Sequence, residues 1–133
     1  MSTKLVKERY PYPMSTRAIR GATQIPANTA SDIAAGVQEL IAAILKANSL
    51  VPADVISVFF TSTVDLNAAF PAAACREIGF ANVPLIGSVE VDVPGALERV
   101  IRAMLLVETS VEADQISHIY LHGAAALRRD IAQ

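Results

Sequence analysis

The sequence feature that most constrains the fold is the run Val55-Ile56-Ser57-Val58-Phe59-Phe60-Thr61-Ser62. Its residues are mostly β-branched or aromatic, they show no helical period, and the loop Val51-Pro52-Ala53-Asp54 precedes them. Such a run is typical of a strand that lies inside a sheet and is covered by other layers. The chain is therefore predicted to organise a sheet around this buried central strand.

Further strands are predicted on both sides of that run. Residues 17–25 and 83–90 have strand character, residues 116–121 alternate, and residues 123–127 form either a short last strand or an irregular arm. Gly21 directly follows Arg20, which allows a second backbone or a ligand to approach the first strand closely.

Three helices complete the predicted order of elements. The first begins at Thr29, with Asp32 three residues on as in a capping box, and runs to about residue 48. A short helix starts at Pro71 and ends near residue 78. A second long helix is predicted from Gly95 to about Thr109. The fold class is therefore α+β or α/β, with helices on one face of a mixed β-sheet.

The hydrophobic content indicates an oligomer. Hydrophobic residues make up 53% of the chain and the mean hydropathy is +0.41, yet no apolar run approaches the roughly 18 residues that cross a bilayer. A small domain this apolar is expected to hide surface by self-association, usually with closed symmetry. We expect residues 17–133 to form one domain and residues 1–16 a poorly ordered N-terminal extension.

The charge and the lack of a targeting signal limit the binding partners and the cellular location that we expect for the protein. The net charge is −2, and no basic cluster follows the first nine residues, which argues against nucleic acid. No apolar run follows Lys4, Lys7 and Arg9, so a secretory signal is not indicated and the cytoplasm is the expected location.

Several kinds of site are missing from the sequence. The glycines do not cluster into a phosphate-binding loop, and His118 and His122 would lie about 13 Å apart on a strand, too far for one metal shell. The single cysteine, Cys75, follows three alanines and is expected in the core. Neither a nucleophile nor a cofactor site is apparent, so no metal and no cofactor are predicted.

The cations indicate a small anionic ligand. From Thr16 onward the chain has seven arginines and one lysine, and arginine is favoured where a carboxylate is held by two parallel hydrogen bonds. Glu90 and Arg102 are charges among apolar neighbours and could line one pocket. Alternatively, Arg102 forms an exposed ion pair with Glu98 four residues before it, and Arg20 is an edge-strand charge.

Separate blocks of the sequence resemble one known family. They are Ile19-Arg20-Gly21-Ala22-Thr23, the segment Thr63-Val64-Asp65-Leu66-Asn67-Ala68-Ala69-Phe70-Pro71-Ala72, Val83-Pro84 leading to Glu90, Ile101-Arg102, and Ile119-Tyr120-Leu121 with Leu127-Arg128. In this order they resemble the monofunctional chorismate mutases of the trimeric, non-helical class, over residues 17 to about 129. The resemblance implies a homotrimer that forms a pseudo-α/β barrel, with active sites between adjacent subunits.

The implied reaction is the Claisen rearrangement of chorismate to prephenate, on the route to phenylalanine and tyrosine. It needs no proton transfer, covalent intermediate or cofactor, in keeping with the missing nucleophile. The substrate carries two carboxylates, in keeping with the excess of arginine. Conformational restriction and stabilisation of the charge on the ether oxygen would carry catalysis.

The resemblance also assigns roles to individual residues. Arg102 would point at the ether oxygen and Glu90 would accept from the ring hydroxyl; these are the expected catalytic pair. The expected substrate-binding residues are Arg20 and Tyr120 for the side-chain carboxylate, Phe70 as a pocket wall, Arg76 and Arg128 as outer arginines, and the backbone of Ile86, Gly87, Ser88 and Val89.

Two positions depart from the family, and two other functions stay open. Ala73 stands where some relatives have a lysine, and Gly87 replaces a cysteine at a position that acts through its backbone. The alternatives are a trimeric imine deaminase that shares this barrel, and a binder of aromatic-pathway carboxylates that leaves chorismate unchanged.

Overall fold

The computed structural model describes residues 13–131, with side chains up to Leu127. Within this range the chain forms one sheet of five strands. The strands are β1 (Ser15–Gln24), β2 (Val55–Ser62), β3 (Leu85–Val89), β4 (Val100–Thr109) and β5 (Ile119–Leu121). Their order across the sheet is β3-β2-β4-β1-β5. The two outer pairs are parallel and the two pairs that involve β4 are antiparallel, so the predicted mixed sheet is confirmed.

Helix α1 (Ala30–Ala47) covers one face of this sheet. Thr29 caps it, since its hydroxyl accepts from the backbone N–H of Asp32 at 3.0 Å, as the capping pattern predicts. Its buried side chains are Ile33, Val37, Leu40, Ile41 and Ile44, which pack with the buried strand residues Ile19, Val58, Phe60, Leu105 and Val107. We call the sheet face that carries those five strand residues the inner face.

A short helix, α2 (Pro71–Cys75), joins α1 on the same side. It continues as a wider turn, Arg76–Phe80, in which Gly79 has a φ of 100° and ends the helical course. Gln38 of α1 donates to the carbonyl of Ala74, and Cys75 is buried in the core, as expected from its neighbours. Both helices therefore belong to the layer on the inner face.

The predicted long helix from Gly95 to Thr109 is wrong. Residues 94–99 are a turn followed by a loop without helical structure, and Val100–Thr109 is β4, the middle strand of the sheet. Burial along β4 alternates from Ala103 to Thr109, but the exposed positions Met104 and Leu106 are as apolar as the buried ones. The two-residue period is therefore not visible in the hydrophobic pattern, and the apolar run is equally compatible with a helix.

Two smaller predictions at the C-terminal end are also corrected. The strand predicted over residues 116–121 is limited to Ile119–Leu121. Residues 123–127 are neither a strand nor irregular but belong to the 3-10 helix His122–Ile131, which we call the C-terminal arm. His118 and His122 do not lie on one strand as expected, because β5 spans only Ile119–Leu121; His122 has a φ of 54° and pairs with Glu39 of α1. Of the predicted N-terminal extension, residues 1–12 lie outside the described residues, whereas Ser15 and Thr16 belong to β1.

Candidate active site

The sheet face opposite the helices has no covering layer over most of its area in the part of the chain that is described. Its side chains include Ala18, Arg20, Phe59, Thr61, Ile86, Arg102, Met104 and Leu106, and we call it the open face. The C-terminal arm crosses one end of it, where Ala124 is buried against Ala22 and Val100. Polar groups on the open face are therefore available to a ligand.

Strand register brings the candidate residues together on this face. Arg102 of β4 is paired with Ala22 of β1 on one side and with Thr61 of β2 on the other. Ala22 is in turn paired with Tyr120 of β5, and Arg20 lies one open-face position from Ala22. Since paired residues point to the same side of a sheet, these side chains are neighbours.

A cavity of about 350 Å³ lies between them. Its lining consists of Arg20, Gly21, Phe59, Thr61, Glu90, Arg102, Ala103, Met104, Tyr120 and Leu127. Two arginines, one carboxylate and one phenol are thus set in a partly apolar wall. Such a mixture fits a small, polar, anionic ligand. The cavity volume is also within the range of pockets that bind small molecules.

Glu90 and Arg102 are in direct contact. Arg102 Nη1 donates to Glu90 Oε2 at 3.2 Å, and both side chains are about one-third exposed. The alternative ion pair is wrong, because Glu98 pairs with Arg99. The reason is the misassigned helix: in a strand, side chains four residues apart are too distant to pair.

Glu90 is held in place by strand β2. It follows β3 directly, and its backbone N–H donates to the carbonyl of Ser62 at 2.9 Å. Its carboxylate accepts a hydrogen bond from the hydroxyl of Thr61, also on Oε2, at 2.8 Å. Thr61 was not among the residues predicted from the sequence, although alternation along β2 places it on the same face as Phe59.

The turn before β4 sets the start of that strand. The backbone N–H of Arg99 donates to Asp65 Oδ2 at 2.9 Å, and Arg99 Nε donates to the carbonyl of Ile25 at 3.0 Å. Burial alone would raise the pKa of Asp65, but hydrogen bonds from Thr63 and from backbone N–H groups, with the Arg99 charge, lower it. Arg99 and Asp65 therefore position Arg102 indirectly, through the backbone.

Arg20 is fixed from the other side of the cavity. Its backbone N–H donates to His118 Nδ1 at 2.9 Å, just before β5 begins. β1 lies between β4 and β5, so the reading of Arg20 as an edge-strand charge is wrong. Gly21 allows the predicted close approach, because a Cβ there would lie 2.7 Å from Ile44 and 3.0 Å from the Ile119 carbonyl. The sequence contained both histidines, but nothing in it indicated this contact of His118.

A second group of predicted residues does not reach this cavity. Phe70, at the start of α2, is 82% exposed, and Arg76 is exposed just after that helix. The run Ile86, Gly87, Ser88 and Val89 is β3, an edge strand that is exposed over most of its length. A Cβ at Gly87 would meet only the Phe60 carbonyl, at 3.8 Å, so a larger residue would fit there. The Arg128 side chain lies outside the described residues.

The remaining chemistry of the described part of the chain is limited. No group of three or more His, Cys, Asp or Glu side chains there is arranged to hold a metal ion. Burial raises the pKa of the Cys75 thiol to about 12, which keeps it protonated and unreactive. None of the described helices is long and apolar enough to span a membrane.

Comparisons with a family profile and with individual known proteins indicate the same family. The sequence profile of the family "Chorismate mutase type I" matches residues 16–131. The chain is 40% identical over 120 residues to chorismate mutase AroH of Bacillus subtilis (strain 168), covering 90% of this chain and 94% of that protein. It is 42% identical over 116 residues to chorismate mutase AroH of Thermus thermophilus, covering 86% and 95%.

A solved structure is similar as well. The chorismate mutase from Clostridium thermocellum superposes with a TM-score of 0.80 at 46% sequence identity. The match covers 82% of this chain and 97% of that one. The sheet and the helices described above are thus shared with a protein of the same class.

Proposed function

The chain belongs to the chorismate mutase type I family, and on that premise we propose how its cavity carries out the reaction. The activity is that of a chorismate mutase, an isomerase that converts chorismate to prephenate in aromatic amino acid biosynthesis. The proposal rests on one observation: Arg102 and Glu90 are in contact, and they line the same cavity as Arg20 and Tyr120.

The reaction is intramolecular: one ether C–O bond breaks while one C–C bond forms, and no proton has to move. The protein therefore has two tasks, which are to hold the reactive compact conformer and to stabilise negative charge that grows on the ether oxygen. A cation held in place before the reaction performs the second task without reorganisation. In our proposal this cation is Arg102, whose guanidinium donates to the ether oxygen.

The other groups hold the ends of the substrate. Arg20 and Tyr120 bind the side-chain carboxylate, and Glu90 accepts a hydrogen bond from the ring hydroxyl. The contact of Arg102 with Glu90 supports this division, because it keeps the cation and the acid at a fixed distance from each other. Phe59, Met104 and Leu127 contribute apolar side chains to the lining, and their burial in an assembly would exclude water and so strengthen the polar contacts.

We further propose that the active enzyme is a homotrimer with sites between its subunits. The open face carries exposed apolar side chains, with Phe59 45% and Met104 44% exposed, which favours burial against other copies. In such an assembly Phe70, Arg76 and the edge strand β3 of one subunit would complete the cavity of the next. The location in the cytoplasm and the role of residues 1–16 stay predictions.

The test is to follow the ultraviolet absorption of chorismate with the wild type, Arg102→Ala and Arg102→Lys. We expect prephenate from the wild type and a loss in kcat of at least about 100-fold in Arg102→Ala, the usual effect of removing one transition-state donor. Partial activity in Arg102→Lys would assign the effect to charge rather than to the planar guanidinium.

Arg17→Ala is the matched control. Arg17 Nε donates to the carbonyl of Val111 and its side chain lies away from the cavity, so kcat should stay near that of the wild type. If the wild type bound chorismate without converting it, the protein would be a binder of aromatic-pathway carboxylates. If Arg102→Ala kept full activity, the assignment of the site would be wrong.

A further inference from the structure

The contact between Thr61 and Glu90 has a feature that a simple structural hydrogen bond would not need. The Thr61 hydroxyl and Arg102 Nη1 both donate to the same carboxylate oxygen, Oε2, at 2.8 and 3.2 Å. No donor among the described residues contacts the other oxygen, Oε1. One oxygen of Glu90 therefore carries both protein contacts, and the other is available to a ligand.

We propose that Thr61 is a positioning residue that keeps Glu90 from making a two-point contact with Arg102. A carboxylate beside a guanidinium prefers two parallel hydrogen bonds, one to each oxygen. The Thr61 hydroxyl holds Oε2 from the β2 side and so stabilises the single contact that is observed. Arg102 then keeps its other N–H groups for the substrate, and Glu90 keeps Oε1.

The position of Thr61 in the sheet fits this role. Thr61 is the cross-strand neighbour of Arg102, so its hydroxyl and the guanidinium reach Glu90 from adjacent strands of one rigid sheet. The backbone N–H of Glu90 is fixed to Ser62 at 2.9 Å, next to Thr61. Rotation of the Glu90 side chain is thus the main freedom left, and the Thr61 hydroxyl restricts it.

This inference rests on the proposed function, because it takes Arg102 and Glu90 as the residues that contact the substrate and carry catalysis. Removal of Thr61 should then act on the chemical step more than on binding. Without the hydroxyl, Glu90 rotates into a two-point contact with Arg102, and guanidinium donors are withdrawn from the ether oxygen. An interaction that is needed mainly in the transition state appears in kcat rather than in KM.

The experiment compares steady-state kinetics of Thr61→Val and Thr61→Ser. Valine keeps the branched shape and the strand preference but removes the donor, whereas serine keeps the donor. We expect kcat to fall about tenfold in Thr61→Val, the effect of one hydrogen bond to a charged group, with KM within about threefold. Thr61→Ser should stay within about threefold of the wild type in both constants.

Thr16→Val is the matched control, because Thr16 also lies on the open face, opposite Glu108 and outside the cavity. It should leave both constants unchanged. Equal kcat in Thr61→Val and the wild type would overturn the proposal, as would an equal loss in the valine and serine variants. A loss confined to KM would also contradict it, since it would mean a role in ground-state binding.

A second arm keeps the test valid if Thr61→Val lowers stability. In a Glu90→Ala background there is no carboxylate to position, so Thr61→Val should cause no further loss of kcat. A further tenfold loss there would overturn the positioning role. If Glu90→Ala and Arg102→Ala themselves kept wild-type activity, the proposed site would fail; if they collapsed while Thr61→Val did not, only the role of Thr61 would fail.

Discussion

The two faces of strand β4 perform different tasks with similar residues. On the inner face Ile101, Ala103, Leu105 and Val107 are buried under the helices. On the open face Met104 and Leu106, from the same strand, are 44% and 38% exposed, and Arg102 enters the cavity. Residue type alone does not show which positions of β4 are buried, because leucines occur on both faces.

This difference suggests a division of roles, in which the inner face builds the fold and the open face carries the proposed site. The inner face is buried against α1 within one chain. The open face carries the charged groups of the site and an apolar remainder that one chain leaves uncovered. In our proposal neighbouring subunits cover that remainder, so substitutions on the two faces should affect different properties of the protein.

The largest effect is expected from Leu106→Glu on the open face. Assembly of three subunits over this face would bury an unpaired carboxylate among apolar side chains, which costs several kcal/mol. We expect the variant to be monomeric by size-exclusion chromatography with light scattering, while the wild type is a trimer. Its kcat/KM should fall at least about 100-fold, since a site shared between subunits is incomplete in a monomer.

Val51→Glu is the control for Leu106→Glu. Val51 is also an exposed apolar residue, but it lies in the loop before β2 and not on the open face. Its substitution should change neither the mass nor the activity. A trimeric, active Leu106→Glu protein would show that the open face is not the interface, and a monomeric, active wild type would contradict the trimer.

A smaller effect, on the stability of the chain rather than on assembly, is expected from Leu105→Ala on the inner face. Leu105 is fully buried in the core, so the truncation should lower the free energy of unfolding by about 2–5 kcal/mol. The loss should be the same at all protein concentrations. Leu106→Ala, the same truncation one residue on, should lose stability mainly on dilution, because it weakens assembly. Urea unfolding at two concentrations separates the two cases.

Equal concentration dependence in both variants would contradict this assignment of the faces. So would a Leu105→Ala protein with wild-type stability, since the residue would then not be part of the core.

Much of the fold follows from local signals in the sequence, and the error has a physical cause. Thr29 with Asp32, and the β-branched run from Val55, identify α1 and β2 because capping and strand preference act over a few residues. The helix prediction over β4 is wrong because the exposed positions Met104 and Leu106 are apolar, as the proposed assembly would require. The period of two that marks a strand is then absent from the pattern.

The residues of the candidate site could be predicted from sequence motifs, but the contacts that surround them could not. Arg20, Glu90, Arg102 and Tyr120 were predicted and line one cavity. The contacts of Thr61 and His118 were not predicted, because they depend on which residues the sheet register pairs. Phe70 and Arg76 were predicted as site residues, yet in one chain they lie outside the cavity, so their role stays a prediction that needs the assembly.

The smallest effect is expected from Thr23→Val on the inner face of β1. The Thr23 hydroxyl is fully buried under α1, and its oxygen has no hydrogen-bond partner among the described residues. A buried hydroxyl without a partner costs stability, and a methyl group of similar size removes that cost. We expect Thr23→Val to raise the free energy of unfolding by about 1 kcal/mol with kcat unchanged, as measured by urea unfolding and the chorismate assay.

The same exchange at Thr61, on the open face, should lower kcat and leave stability nearly unchanged, so the two variants together test whether fold and function are divided between the faces. A destabilised Thr23→Val protein would mean that the hydroxyl has a hydrogen-bond partner within the folded chain, and a lowered kcat in this variant would contradict the division between the faces.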